Sequence, residues 1–361
     1  MASGVAREAI IYGAGMSGLV AACNLARNGC AVLVREKEES FGGSRAFNPS
    51  THVTPLDLAA TSDYIGIDIS PAFHPVDSIS LYLHDVHVAL PAAGSYAVER
   101  SSRPSSLDAL LYEACLEAEV EFEFNRPLRA EELADLPPAT IIACGLEPEA
   151  YEYLGIPHLT WYGWMARGET DRSGYAWLWL DEGITEYGYA SFCNGLFYNL
   201  LHSYGREVDG ECLERYRDFM RRMEGVDHED WEYVSGAVPL AVPDNPRLVR
   251  NGLIMCGTMS GAMDPLMGFG ISGALVSGKV AAMAVGDREA AEVEFARFVR
   301  NFAAVHRFKH EVWYGLRARV DILEDVVRIL GPEITARLLA EGIRRGRKSS
   351  AIPGFSPVSC S

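Results

Sequence analysis

The chain opens on an apolar run, Ala9-Ile10-Ile11-Tyr12, that breaks into Gly13-Ala14-Gly15-Met16-Ser17-Gly18 and resumes as a helical pattern from Leu19 to Asn28. A second apolar run, Ala31 to Arg35, follows and delivers Glu36. Strand, glycine turn, helix and strand in this order predict the start of a parallel α/β sheet. Alternation from Ser78 to Leu90 predicts a hairpin turning near His84-Asp85. Tyr96 to Arg100 predicts a returning strand, and a helix starts near Ser106 with Leu107, Leu110, Leu111, Ala114 and Leu116 at helical spacing. Strands follow at Val120 to Phe124 and Ala139 to Ala143, the latter running into Cys144-Gly145. From Gly155 to Tyr198 aromatic residues alternate, Tyr175, Trp177 and Trp179 among them, which predicts a sheet with a greasy face. Leu200 to Met223 reads as helix, Glu224 to Glu232 as a solvated acidic surface, and Leu253 to Cys256 as a strand before a small-residue helix over 272–285. Arg288 to Ile343 is mostly helical. Its stripes Phe295, Phe298, Phe302 and Val320, Leu323, Val326, Val327, Leu330 read as core packing.

The first turn has the chemistry of a dinucleotide site. Gly13 allows the tight turn, Gly15 lets a pyrophosphate approach the backbone, and Gly18 lets helix and strand pack closely. The phosphates then meet the free N–H groups of the helix start at Met16 and Ser17. Glu36 stands where a carboxylate accepts from both ribose hydroxyls, with Lys37 beside it. An acid here disfavours a 2'-phosphate, so the turn points to FAD or NAD rather than NADP.

The stretch from Glu36 through Gly42-Gly43, Ser44 and Arg45 resembles FAD-dependent oxidoreductases of the glutathione-reductase and hydroxybenzoate-hydroxylase type. The block from Tyr96 to Phe124 resembles the third βα unit of the hydroxylases, which implies Arg100 near the flavin and its phosphates. Asn251 to Ala284, with Gly257-Thr258 and Asp264-Pro265-Leu266-Met267-Gly268-Phe269-Gly270-Ile271, resembles the second flavin motif of the geranylgeranyl reductase family in the same superfamily. That resemblance implies cofactor contacts at Gly145, Gly257, Thr258, Asp264, Pro265, Gly268, Gly270 and Ile271. It also implies substrate contacts at Tyr175, Trp177 and Trp179. Two departures stand out: Cys144-Gly145 replaces the hydroxylases' Asp-Gly, and Thr258 replaces the aspartate that contacts the ribityl chain.

The expected fold is α/β, a Rossmann-type FAD-binding domain with an interleaved antiparallel-sheet substrate domain and a C-terminal helical segment. The first occupies 1–77, 95–150 and 235–286, the second 78–94 and 151–234, the helical segment 287–350 and a tail 351–361. The expected activity is an FAD-dependent oxidoreductase that reduces or dehydrogenates C=C bonds of an apolar substrate, isoprenoid by analogy. Alternatives are a flavin-dependent monooxygenase and a non-redox flavin- or lipid-binding protein. No catalytic residue is named by spacing, and the external electron donor stays open.

Composition narrows the partners. A net charge of −17 over 361 residues opposes nucleic acid. Neither a secretory signal nor a membrane-spanning apolar run is apparent, so the expected location is cytoplasmic with at most peripheral membrane contact. The basic stretch Arg344-Arg345-Gly346-Arg347-Lys348 is a local exception to the acidic balance. The 8 cysteines form no CxxC pair and read as reduced thiols. His306 and His310 lie one helical turn apart, but no third ligand is near them in sequence, so no metal is expected.

Overall fold

The computed structural model describes residues 8–44 and 47–349, with side chains as far as residue 341. Arg45, the tail and Cys360 therefore lie outside the described residues. The first third of the chain forms β1 (Glu8–Tyr12), α1 (Met16–Arg27), β2 (Ala31–Arg35), β3 (Ser50–Pro55), α2 (Leu58–Ile65), β4 (Phe73–Pro75), β5 (Ser78–Leu83), β6 (Val86–Leu90), β7 (Ser95–Arg100), α3 (Leu107–Glu117) and β8 (Glu121–Glu123). The middle adds β9 (Ile141–Ile142), α4 (Pro148–Leu154), β10 (His158–Glu169), β11 (Tyr175–Leu180), β12 (Gly188–Cys193), β13 (Leu196–Tyr204), α5 (Gly210–Phe219), β14 (Glu232–Pro239), β15 (Val249–Arg250) and β16 (Leu253–Met255). Helices finish it: α6 (Ile271–Gly286), α7 (Arg288–Val299), α8 (Phe302–Phe308), α9 (Tyr314–Arg317), α10 (Val320–Leu330) and α11 (Pro332–Ser349).

Three sheets result. The nucleotide sheet has the order β15-β16-β9-β1-β2-β8, parallel except where β15 pairs with β16. Helices α1 and α6 bury Leu19, Val20, Leu275 and Val280 in its core. A seven-stranded sheet, β14-β10-β13-β12-β11-β5-β6, is antiparallel except for the β11–β5 pair, which draws the β5–β6 hairpin into it. A small sheet, β3-β7-β4, lies between them.

Both faces of the seven-stranded sheet are covered. Trp177, Trp179 and Phe192 point to one side, onto Tyr216 and Phe219 of α5. Leu81, Leu83 and Leu180 point to the other, where Val320 and Val327 of α10 pack on them. A buried ion pair holds the C-terminal segment in place: Lys309 Nζ lies 2.8 Å from Glu186 Oε2, and Tyr314 donates to Glu186 Oε1 at 2.6 Å. Arg317 donates to the backbone carbonyl of Glu186.

Three sequence expectations change. Residues 200–204 continue strand β13, and the helix runs only over Gly210–Phe219 before a wider turn. Glu224 is not part of a solvated surface; its buried carboxylate accepts from Tyr82 at 2.7 Å and from Tyr175. Val326 and Leu330 are exposed rather than packed in the core. The seven described cysteines are free thiols.

Candidate functional site

The dinucleotide turn is held by the two strands that flank it. Gly13 has φ +113, and a Cβ there would overlap the carbonyl oxygen of Ala143 at the end of β9. Its N–H donates to Arg35 O at 2.7 Å, and the next N–H, of Ala14, donates to Glu36 Oε2 at 2.6 Å. Glu36 also accepts from Glu38 N–H at 3.0 Å. Burial raises its pKa, and those two N–H groups partly offset the rise. Each carboxylate oxygen keeps a second lone pair, so ribose hydroxyls remain within its capacity. Met16 and Ser17 are buried at the start of α1. Lys37 pairs with Glu147 and, at 3.8 Å, with Glu38, which gives it a structural partner in addition to its place beside Glu36.

Arg100 reaches the same turn from β7. Its Nη2 donates to Gly42 O at 3.2 Å and lies beside Gly15 and Gly43. Asp108, fully buried on α3, takes two hydrogen bonds from the guanidinium, at 3.2 and 2.9 Å. Burial raises the Asp108 pKa and Arg100 opposes that rise. Arg100→Met strands a buried carboxylate, so it will destabilise the fold by about 3–5 kcal/mol in urea unfolding. Adding Asp108→Asn will recover much of the loss; equal stability of the single variant and the parent would show that the pair carries no such role.

The second glycine motif meets the first. A Cβ on Gly257, at φ +60, would strike Ser17 Oγ, and Gly257 N–H donates to Ser277 Oγ of α6 at 2.8 Å. Thr258 is turned to the protein: its hydroxyl donates to Gly145 O at 2.6 Å, leaving only its lone pairs for a ligand. Asp264 Oδ1 accepts from the N–H groups of Leu266 and Met267 and so shapes the loop through Pro265 to Gly268. That loop leads into Gly270 and Ile271 at the start of α6. Ser44 ends the described segment before Arg45. The two glycine turns, Glu36, Arg100 and the Gly268–Ile271 loop thus form a cradle whose crowded backbone approaches fit a dinucleotide with a planar ring at its far end.

Where that cradle meets the seven-stranded sheet lies a cavity of about 170 Å³, its apolar wall including Phe47, Trp161, Leu178, Leu200 and Phe269. Gly268, Gly270 and Ile271 line it, so the flavin-motif loop and the cavity adjoin. Of the expected substrate residues, Trp177 borders the cavity, but its indole belongs to the opposite core and donates to Tyr216 at 3.1 Å. Tyr175 and Trp179 share that far side, because residues two apart on a strand face the same way.

Sequence reasoning missed the polar groups of the cavity. His52 on β3 has Nε2 2.9 Å from Ser50 Oγ and Nδ1 2.8 Å from the Tyr189 hydroxyl. Ser50 gives its own proton to Phe47 O, so its oxygen accepts from Nε2–H and His52 Nδ1 is left as the acceptor for Tyr189. Burial, with Arg100 nearby, pushes the His52 pKa down to about 3, while burial raises that of Tyr189. His202 is likewise held at about 3 by burial, Lys309 and Arg317. Thr54 and His202 also line the cavity, while their Oγ1 and Nδ1 atoms are buried without a hydrogen-bond partner among the described residues. No local motif announces these groups; His52 and Tyr189 are 137 residues apart in sequence.

Among the described residues the one group with metal-ligand geometry is His84, Asp181 and Glu182, away from His306 and His310. Arg215 already donates twice to Asp181 there.

Comparison with known proteins agrees with this geometry. Residues 11–62 match the family model for the NAD(P)-binding Rossmann-like domain. No curated protein matches the sequence. Among solved structures, a Klebsiella pneumoniae HpxO variant complexed with FAD is 14% identical, with 96% of this chain and 99% of that chain covered at TM-score 0.65. The p-nitrophenol 4-monooxygenase PnpA from Pseudomonas putida DLL-E4 is 14% identical, covering 93% and 97% at TM-score 0.62. A 2-methyl-3-hydroxypyridine-5-carboxylic acid oxygenase is 15% identical, covering 84% and 91% at TM-score 0.61. At these identities the likeness is one of fold: the chain carries a Rossmann-like nucleotide-binding domain within the architecture of these oxygenases.

Proposed function

We propose that the protein is an FAD-dependent oxidoreductase of the monooxygenase kind, acting on a compact, ring-bearing apolar substrate with a polar substituent. The observation that carries this reading is the cavity beside the second glycine motif: small, aromatic-walled, and lined by the polar side chains of His52, Tyr187 and Tyr189. A substrate hydroxyl or ring nitrogen can hydrogen-bond to such phenol and imidazole groups. A volume of about 170 Å³ falls below the ~300–1,000 Å³ of ordinary ligand clefts, which favours a compact ring over a long polyprenyl chain. The named oxygenases of the same fold support the same choice.

Gly13, Gly15, Glu36 and Arg100 would hold the adenosine and phosphate end of FAD, and Gly257 with the Gly268–Ile271 loop its ring end. When bound, the flavin supplies two-electron redox chemistry, including reaction with oxygen. The chain orients the substrate against that edge and keeps bulk water out with Phe47, Trp161 and Leu200. Tyr189, neutral His52 and Ser50 form a hydrogen-bonded chain beside the cavity that fixes the orientation of the Tyr189 hydroxyl.

The loop from Asp264 to Ile271 and its small-residue helix favour a second reading, reduction of an apolar C=C bond. A single experiment separates the two. The FAD-loaded protein, reduced under nitrogen, is mixed with a polyprenyl alkene or with a set of phenols and hydroxypyridines, and then with air. Faster reoxidation in air with a ring substrate, and a product heavier by one oxygen atom, is the expected result. Reoxidation by the alkene under nitrogen would overturn it in favour of the reductase.

A further inference from the structure

The C-terminal helices leave an apolar surface uncovered. On α10, Val320, Leu323 and Val327 face the sheet, while Ile322, Val326 and Ile329 point away from it, with Ile329 82% exposed. On α11, Ala336 and Leu339 pack inward, while Ile334 and Leu338 point out, Leu338 at 59% exposure. Phe308, Val312 and Leu316 make a further exposed row just before them. Spacings of three and four put each row on one helical face. Single exposed apolar side chains are ordinary, but rows on successive helices mark a docking surface.

We propose that this face docks the protein on an anionic lipid surface, the C-terminal helices lying in the plane of the headgroups. Charge selects the occupant. The whole chain carries −17, yet from Arg300 onward 11 Lys and Arg stand against 6 Asp and Glu, and with the buried Lys309 and Arg317 set aside the cations still lead by 9 to 6. The acids of α10 are matched within the segment: Asp321 by Arg319, and Glu324 and Asp325 by Arg328. Helix α11 then runs through Arg344, Arg345, Arg347 and Lys348. A symmetric contact with a second copy would bring this basic segment close to its own like, whereas an anionic leaflet complements it. The acidic remainder of the chain is repelled from the same leaflet, which orients the contact. No helix among the described residues is long and apolar enough to cross a membrane, so the contact is in-plane.

The test is flotation of the full chain with vesicles of phosphatidylcholine alone or mixed with phosphatidylserine, at low and high salt. The expected result is binding to the mixed vesicles, about tenfold or more weaker on phosphatidylcholine alone, and released by salt. Ile329→Glu with Leu338→Glu will abolish flotation with an unchanged melting temperature, because both side chains already lie in water. Arg344→Ala and Arg345→Ala will each weaken binding about fivefold. Failure to float on either vesicle would overturn the proposal, as would equal binding to both. So would a non-floating dimer that the Ile329→Glu, Leu338→Glu variant dissociates, since a second copy would then own the face.

Discussion

Gly13→Ala will abolish flavin binding and remove about 2–6 kcal/mol of stability, roughly half from a side chain forced into positive φ and half from overpacking. The turn has no room to adapt. A Cβ at φ +113 meets the backbone of Ala143, and β9 is itself paired between β1 and β16. Moving the turn away would break the Gly13-to-Arg35 and Ala14-to-Glu36 hydrogen bonds, which place the ribose-facing carboxylate. Gly29→Ala is the matched control: φ is +81, but nothing lies within 4 Å of its Cβ. That variant will lose only about 1–2 kcal/mol and bind FAD as the parent does. Urea unfolding and quenching of FAD fluorescence measure both effects. If the two variants behave alike, the approach of β9 does not fix the turn.

How far the sequence reveals the molecule depends on how local each signal is. The first βαβ unit is legible because its glycines, helix and acid fall within a few turns of chain, and the structure places Glu36 against the turn as expected. The start of α3 is legible for the same reason: Ser106 accepts from Ala109 N–H. The run Leu200-Leu201-His202-Ser203 reads as helix because a strand buried on both faces loses its alternation. The alternating aromatics identify β11, but they do not say which face meets the cavity when both faces are apolar. Glu224 sits in an acidic run and is buried by tyrosines 142 and 49 residues away. On α10 two adjacent apolar stripes are equally helical in pattern, and only packing against Leu81 and Leu83 decides which is covered. The cavity's polar groups are the extreme case, since His52, Thr54, Tyr189 and His202 come from two sheets and share no motif.

Those same histidines give the protein a marked sensitivity to acid. Between neutral pH and pH 5 these two groups will cost the fold about 4 kcal/mol, about 2 from each of His52 and His202. Burial holds both near 3 in the folded chain, against about 6.5 in the unfolded one. Between those values the unfolded chain binds more protons, so stability rises with pH through the window and is lost as pH falls. Burial also lowers His306, to about 4, and His228 and His310, which add further losses of the same sign as pH falls. Burial raises Glu36 and Asp108, and a raised carboxyl acts the opposite way, adding stability as pH falls. Burial pulls His84 down, but Glu182 and Glu324 more than offset it, so its contribution is already present below the histidine's usual pKa. Urea unfolding of the parent and of histidine variants at pH 7, 6 and 5 therefore separates the share of the two cavity histidines. His52→Gln keeps a hydrogen-bonding side chain between Ser50 and Tyr189 and will cut the acid loss by about 2 kcal/mol; His52→Gln with His202→Gln will cut it by about 4. A double variant with the parent's slope would show that other groups take up the protons, and that the cavity histidines are not held neutral by the fold.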